Sequence, residues 1–400
     1  MDFKIKTLNT ISPAIYGQLN EHYRVSDAEE APDAILVRSA KMHDMPLPDS
    51  VLAIARAGAG VNNIPIDACS AAGICVFNTP GANANAVSEL VIAGLLLSCR
   101  DVIGGIEWER TLSGHGDAIE KEVEKGKNAF VGPELRGKTL GVIGLGAIGV
   151  LVANAAIALG MNVIGYDPMI SVEHAWRLSR SVRHENSLDT LFTECDFLTV
   201  HVPLNDKTRG MIGGRAFSLC RKGMRIMNFA RGGLVDENAL IAALGDGTVA
   251  KYVTDFASDR LLSCEGVICL PHLGASTPES EENCAVMAAA ELRDYLEHGV
   301  IRNSVNLPAM ELGRADKPRL LCIHENIPNL LSSITSVIAG LSINISDMVN
   351  RSRGQMAVSA LDLDGIPDGK QEEMLAAVRA IPAMKRVRLI GVRTLSSTNF

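Results

Sequence analysis

The stretch Thr139-Leu140-Gly141-Val142-Ile143-Gly144-Leu145-Gly146-Ala147-Ile148-Gly149 leaves this chain few folds to choose from. Leu140 to Ile143 is an apolar run of the length and type that forms a buried parallel strand. Gly144, Gly146 and Gly149 follow at GxGxxG spacing, and a helix of small residues is predicted from about Ala147 to Leu159. Gly144 allows a tight turn, Gly146 lets backbone N–H groups approach a pyrophosphate, and Gly149 lets the helix pack close to the strand. Ala147 and Ile148 open that helix, whose N-terminus offers unpaired donors and the positive end of its dipole to the phosphates. A second apolar strand, Asn162 to Tyr166, ends in Asp167, eighteen residues after Gly149. A carboxylate there holds ribose hydroxyls and repels a 2′-phosphate, so NAD is expected rather than NADP. A GxGxxG alone serves as well for packing; the order strand, turn, helix, strand, acid is what predicts a Rossmann-type, doubly wound α/β domain.

The chain has 400 residues, too many for one core, so two or three domains are expected. A net charge of −8 leaves no continuous basic surface for nucleic acid, and 4% aromatics offer no stacking platform. The longest nearly apolar run, Leu90 to Cys99, is too short to span a bilayer, so no membrane partner is expected. Lys4 and Lys6 precede no long apolar core, so no secretory leader is expected. Nine scattered cysteines without a CxxC pair suit a reducing cytoplasm, with neither a disulfide framework nor a metal site.

Residues 1–95 alternate short strands with helices, as in an open α/β sheet. Ala34–Val37 ends in Arg38 and Ser39, with Lys41 close behind. Ala53–Ala55 ends in the loop Arg56 to Ile64, whose Ala59, Gly60 and Val61 can present successive N–H groups to an anion. Ile74–Asn78 leads to Thr79-Pro80-Gly81-Ala82-Asn83. Ligands of such sheets bind at these strand ends, although Arg38 and Lys41 taken singly serve equally well as solvated loop charges. A long apolar helix, Glu89–Val102, leads to a polar arm over residues 104–136 suited to wrapping a partner subunit. Residues 96–278 form the nucleotide domain, and residues 279–304 return to the first domain, making it discontinuous. After a linker at 305–317, residues 318–400 read β-α-β-β-α-β, a ferredoxin-like order.

Two strand ends in the nucleotide domain carry chemistry. Phe229 and Ala230 lead to Arg231, whose planar guanidinium can grip a carboxylate in bidentate fashion and polarise a neighbouring carbonyl. His272, after the last strand, can take the proton of a hydroxyl as hydride leaves the same carbon. Either alone is an ordinary structural polar group; both at the cofactor end of one sheet predict a dehydrogenase. A carboxylate beside the imidazole is expected from Asp255, Asp259 or Glu265. Asp255, directly on a strand end, is expected to face the cofactor, which leaves Asp259 as the partner of His272.

Gly144 to Gly149 with Asp167, Ala230-Arg231-Gly232 and Pro271-His272-Leu273-Gly274-Ala275-Ser276-Thr277 resemble the D-isomer-specific 2-hydroxyacid dehydrogenases over nearly the whole chain. The resemblance implies a flavodoxin-like substrate domain carrying Arg38, Ser39, Lys41, the 59–61 loop and Asn83 as substrate-binding residues. It implies that Arg231 anchors the substrate, that His272 is the acid/base and that a Glu pairs with it. Within the family it implies 3-phosphoglycerate as substrate, at the first step of L-serine synthesis. A related unphosphorylated 2-hydroxy acid, or a non-catalytic NAD-sensing role, are the alternatives. His324-Glu325-Asn326-Ile327-Pro328 with Asn344 resembles an ACT domain, which implies L-serine as effector at His324, Asn326 and Asn344, and a homodimer or homotetramer. The chain departs from the family twice. The usual Asp-Val-Phe, two residues, Glu-Pro reads Thr254-Asp255-Phe256-Ala257-Ser258-Asp259-Arg260, which, counted from Phe256, puts the shorter Asp259 at the Glu position, and Asn329 stands where the ACT motif has Gly.

Overall fold

A computed structural model describes residues 3–391; residues 392–400 of the expected C-terminal domain lie outside the described range. The chain divides into two compact units, residues 1–82 with 281–400, and residues 83–280.

The first unit opens with a five-stranded parallel sheet: β1 (Phe3–Leu8), β2 (Tyr23–Ser26), β3 (Ala34–Val37), β4 (Ala53–Arg56) and β5 (Cys75–Phe77), in the order β2-β1-β3-β4-β5. This is the flavodoxin-type order, whose ligands sit at strand C-termini. β3 and β5 are buried throughout, which is why they read as continuous apolar runs.

The second unit holds seven parallel strands: β6 (Thr139–Ile143), β7 (Asn162–Tyr166), β8 (Arg183–His184), β9 (Phe197–Val200), β10 (Met224–Asn228), β11 (Val249–Thr254) and β12 (Val267–Cys269). Their order, β12-β11-β10-β9-β6-β7-β8, places the switch of direction between β6 and β9, directly above the Gly144 loop. The helix Ala84–Cys99 belongs here and not to the first unit, so the expected boundary at residue 95 moves to 82/83. The reason is packing: Val87, Val91 and Leu95 share one core with Leu140, Val142 and Phe229.

The chain then returns to the first unit. The helix Pro278–His298 buries Ala285, Ala288, Ala289, Leu292, Tyr295 and Leu296, one stripe at helical spacing, against Ile5, Leu36 and Phe77. The last sheet is antiparallel, with β13 (Arg319–Glu325), β14 (Ile345–Arg353), β15 (Met356–Leu363) and β16 (Met384–Ile390) in the order β14-β15-β13-β16. Leu320, Cys322, Leu361 and Leu363 face the helices Leu330–Gly340 and Gln371–Arg379, while Leu321, Ile323, Val358 and Ala360 join the core of Tyr295. Asn329 has φ +67°, which explains a Gly-type position filled by Asn, the residue that next best tolerates the left-handed region. No helix among the described residues is long and apolar enough to cross a membrane.

Candidate active site

In the second unit, the C-terminal ends of β6, β10, β11 and β12 each carry one part of the site. At β6, Gly144 takes φ +91° and passes so close to His201 that a Cβ would lie 2.8 Å from its carbonyl oxygen. A Cβ on Gly149 would sit 1.9 Å from the Gly144 oxygen, so helix and turn meet backbone to backbone. A Cβ on Gly146 would meet nothing within 4 Å. That residue caps the helix Ala147–Ala158 without a side-chain bond, so the first N–H groups of the helix, at Ala147 and Ile148, have no partner within the helix. Asp167 accepts the Leu145 N–H at 2.8 Å through Oδ2 and the Met169 N–H at 2.8 Å through Oδ1, which ties the end of β7 to the glycine turn. These residues fit a dinucleotide.

Beyond β10, Asn228 shapes the arginine loop. Its buried side chain donates to Arg231 O (2.9 Å) and Tyr252 Oη (3.1 Å) and accepts from Ala230 N (3.2 Å). Thr254 Oγ1 donates to Asn228 O at 2.9 Å and accepts from Phe256 N at 3.2 Å, linking this loop to the end of β11. Arg231 emerges exposed, with Nη1 donating to Ala230 O. The Phe229 ring is core, packed where a Cβ on Gly94 would touch it at 3.0 Å, so only its backbone is available to a ligand.

The carboxylate that faces His272 is Asp255, not Asp259. Asp255 Oδ2 lies 3.5 Å from His272 Nδ1, its side chain 1% exposed against 66% for the imidazole. Asp259 is exposed at the first position of the short helix Asp259–Leu262, capped by Ser258 through Leu261 N, and has no ion pair with His272 among the described residues. Counting along the loop cannot anticipate that a helix begins there. The Phe256 ring meets the imidazole edge-on at 5.2 Å. Burial pushes the Asp255 carboxyl up, partly offset by the nearby His272 and Arg231, and its Oδ1 is sealed without a partner. Arginine, imidazole and carboxylate are therefore one electrostatic cluster, with Nε2 as the open nitrogen of His272.

Sequence reasoning missed Asn228, Thr254 and His201. His201 meets Thr199 Oγ1 at 2.9 Å, its Nδ1 is buried without a partner, and burial pushes its pKa down to about 4, so it is a neutral wall of the glycine turn. Asn228 had a legible signal, an amide at a strand end before a Gly-rich turn.

In the first unit, the N–H groups of Ala59, Gly60 and Val61 donate to no acceptor among the described residues, while Ala59 O and Gly60 O accept from Asn78 and Arg56. The loop's carbonyls are thus tied back and its donors left open, as an anion nest requires. Arg38 is paired with Glu281, Ser39 N donates to Asn9 Oδ1 at 3.0 Å, and Lys41 is exposed. Asn83 lies at the start of the helix of the second unit, without a side-chain cap bond. His324 and Asn326 stand at one end of the last sheet and Asn344 at the other, because Arg319 pairs with Asp362 and Glu325 with Met356 along the intervening strand. Six residues of strand, roughly 20 Å, separate them, so one chain does not unite these three. His324 is also occupied, its ring nitrogens 2.8 Å from Ser359 Oγ and Glu325 O. No group of three or more His, Cys, Asp or Glu side chains suited to a metal occurs among the described residues.

Residues 106–274, which hold every part of the second unit's site, match the family described as D-isomer specific 2-hydroxyacid dehydrogenase, NAD binding domain. Over that stretch the chain is similar to the family. Its relatives include D-3-phosphoglycerate dehydrogenase of Methanocaldococcus jannaschii, 36% identical over 78% of this chain and 57% of the relative, and that of Bacillus subtilis, 34% identical over 72% and 54%. The chain thus spans about half the length of the curated relatives it matches. Among solved structures, NAD+-bound 3-phosphoglycerate dehydrogenase of Entamoeba histolytica shares 27% identity at a TM-score of 0.58 over 76% of this chain and 99% of its own. D-mandelate dehydrogenase of Rhodotorula graminis, at 22% identity and TM-score 0.65 over 78% and 99%, shares the fold.

Proposed function

We propose that the chain oxidises 3-phosphoglycerate at C2 to 3-phosphohydroxypyruvate with NAD, the first step of L-serine synthesis, in a reducing cytoplasm. The observation that carries the reading is the exposed His272 backed by the sealed Asp255, at the same sheet end as Arg231 and the glycine turn. NAD, when bound along Gly144–Gly149 with Asp167 at its ribose, supplies the hydride acceptor. Arg231 binds the substrate carboxylate and orients the carbon that carries the hydroxyl. His272 Nε2 takes the hydroxyl proton, and Asp255 faces the imidazolium so formed across 3.5 Å. Arg38, Lys41 and the N–H groups of Ala59, Gly60 and Val61 are assigned to the anionic groups of the substrate. A substrate without phosphate is the second reading, favoured by Glu281, which already neutralises Arg38.

Absorbance of NADH with 3-phosphoglycerate, with unphosphorylated 2-hydroxy acids and with NADP in place of NAD tests this. Turnover only on unphosphorylated acids, or a preference for NADP, overturns the assignment.

For L-serine as effector, the separation of Asn344 from His324 and Asn326 within one chain supports a site completed by a second copy. We propose a homodimer through the free edge of β14, which light scattering tests; a monomer would remove both proposals.

A further inference from the structure

β16 is an edge strand of the last sheet, and it carries Arg386 and Arg388 two residues apart, on one face. Arg386 donates through Nε and Nη2 to Ala72 O at 3.2 and 3.1 Å and through Nη1 to Asp49 O at 3.0 Å. Arg388 donates through Nη2 to Leu296 O at 3.0 Å and lies 4.9 Å over the Tyr295 ring. Arg388 Nη1 is buried and meets no acceptor. Both guanidiniums are held by carbonyls and a ring, and neither forms an ion pair with a carboxylate among the described residues. Burial, and then the neighbouring Arg388, push the Arg386 guanidinium down from its usual range.

These two arginines line a cavity of about 430 Å³ together with Arg379, Lys385, Asp33 and Asp49. Four cations there face two carboxylates, and Lys385 has a further partner in Glu325 at 2.6 Å. Like charges set side by side and partly desolvated are costly unless a counter-charge joins them. The exposed Arg379, on the same cavity, offers a guanidinium fork of paired donors matched to phosphate or carboxylate oxygens. We propose that this cavity is an anion site, taking a compact ligand that bears phosphate or several carboxylates. It lies within the first unit, at the N-terminal ends of β3 and β4, just behind Asp33 and Asp49. Those strands end at Arg38 and Arg56, so the ligand occupies the far end of the sheet from the 59–61 loop. The site does not depend on the reaction proposed above.

Calorimetric titration of the full chain with pyrophosphate and, separately, with citrate at constant ionic strength tests it. A saturable phase is expected that Arg379→Gln and Arg388→Gln weaken about tenfold or more and that Arg38→Gln leaves unchanged. Tighter pyrophosphate identifies a phosphate-bearing ligand, and tighter citrate a polycarboxylate. The absence of saturable heat overturns the proposal, as does binding that Arg38→Gln abolishes while Arg388→Gln keeps, since the ion then sits on the substrate loop. Should Arg388→Gln fail to fold, phenylglyoxal modification of the exposed Arg379 in the unaltered chain decides. Pyrophosphate must slow it roughly fivefold or more, and no protection refutes the site.

Discussion

Glu291 lies in the helix Pro278–His298, buried, with Oε1 accepting from Asn303 Nδ2 at 2.6 Å and Oε2 sealed without a partner. Burial is the main force on its carboxyl, raising its pKa from 4.5 to about 7, with Asp294 adding and Asn303 and Arg302 opposing. The folded form therefore holds a proton that the unfolded chain releases between these two values. Stability falls as pH rises through that window and is level above it. At about 1.4 kcal/mol per pH unit, the interval amounts to roughly 3 kcal/mol. Glu291→Gln keeps the oxygen that Asn303 uses and removes the titration. We expect the variant to match the parent near pH 5 and to exceed it by up to about 3 kcal/mol at pH 8. Hydrogen exchange of peptides covering 278–298, compared between the two proteins at the same pH, reads this locally and cancels the intrinsic pH dependence of exchange. A gap that is constant with pH, or one that narrows toward pH 8, would refute the reasoning.

Other perturbations separate the roles assigned to single groups. His272→Ala and Asp255→Asn are each expected to lower kcat, the former by about two to four powers of ten, while Asp259→Asn leaves it nearly unchanged; steady-state kinetics compares them, and the reverse ranking of the two aspartates would restore Asp259. Gly149→Ala places a methyl 1.9 Å from the Gly144 oxygen, so NAD binding measured by calorimetry should weaken by at least about tenfold. The Arg319–Asp362 pair is doubly bonded at 2.6 and 2.8 Å, with Arg319 only 2% exposed. Asp362→Ala should cost about 3–5 kcal/mol in urea unfolding, because it strands a buried guanidinium.

How much could be read in advance depended on whether neighbours decide the outcome. Six of the seven strands of the nucleotide sheet were legible because covered faces make most of their residues apolar, as in Leu140–Ile143 and Phe197–Val200. β1, whose apolar residues are interrupted by Lys4 and by Lys6-Thr7, and the two-residue β8 gave no such run. The helix Ala84–Cys99 is apolar on most sides, and its sequence does not say which sheet it covers. Glycine turn, Arg231 and His272 stood out because each follows a strand end. The partner of His272 did not, since spacing along a loop is silent about the helix that begins at Asp259. The three proposed effector residues are close in sequence pattern and far apart in one chain, because an antiparallel return separates them.

The first unit is assembled from both ends of the chain, and its helix Pro278–His298 supplies the stripe that covers Ile5, Leu36 and Phe77. During synthesis on the ribosome, residues 83–280 can therefore finish folding while the earlier strands still wait for their lid. A nascent chain halted near residue 280 would carry one completed body and one greasy, half-built sheet, a natural client for chaperones.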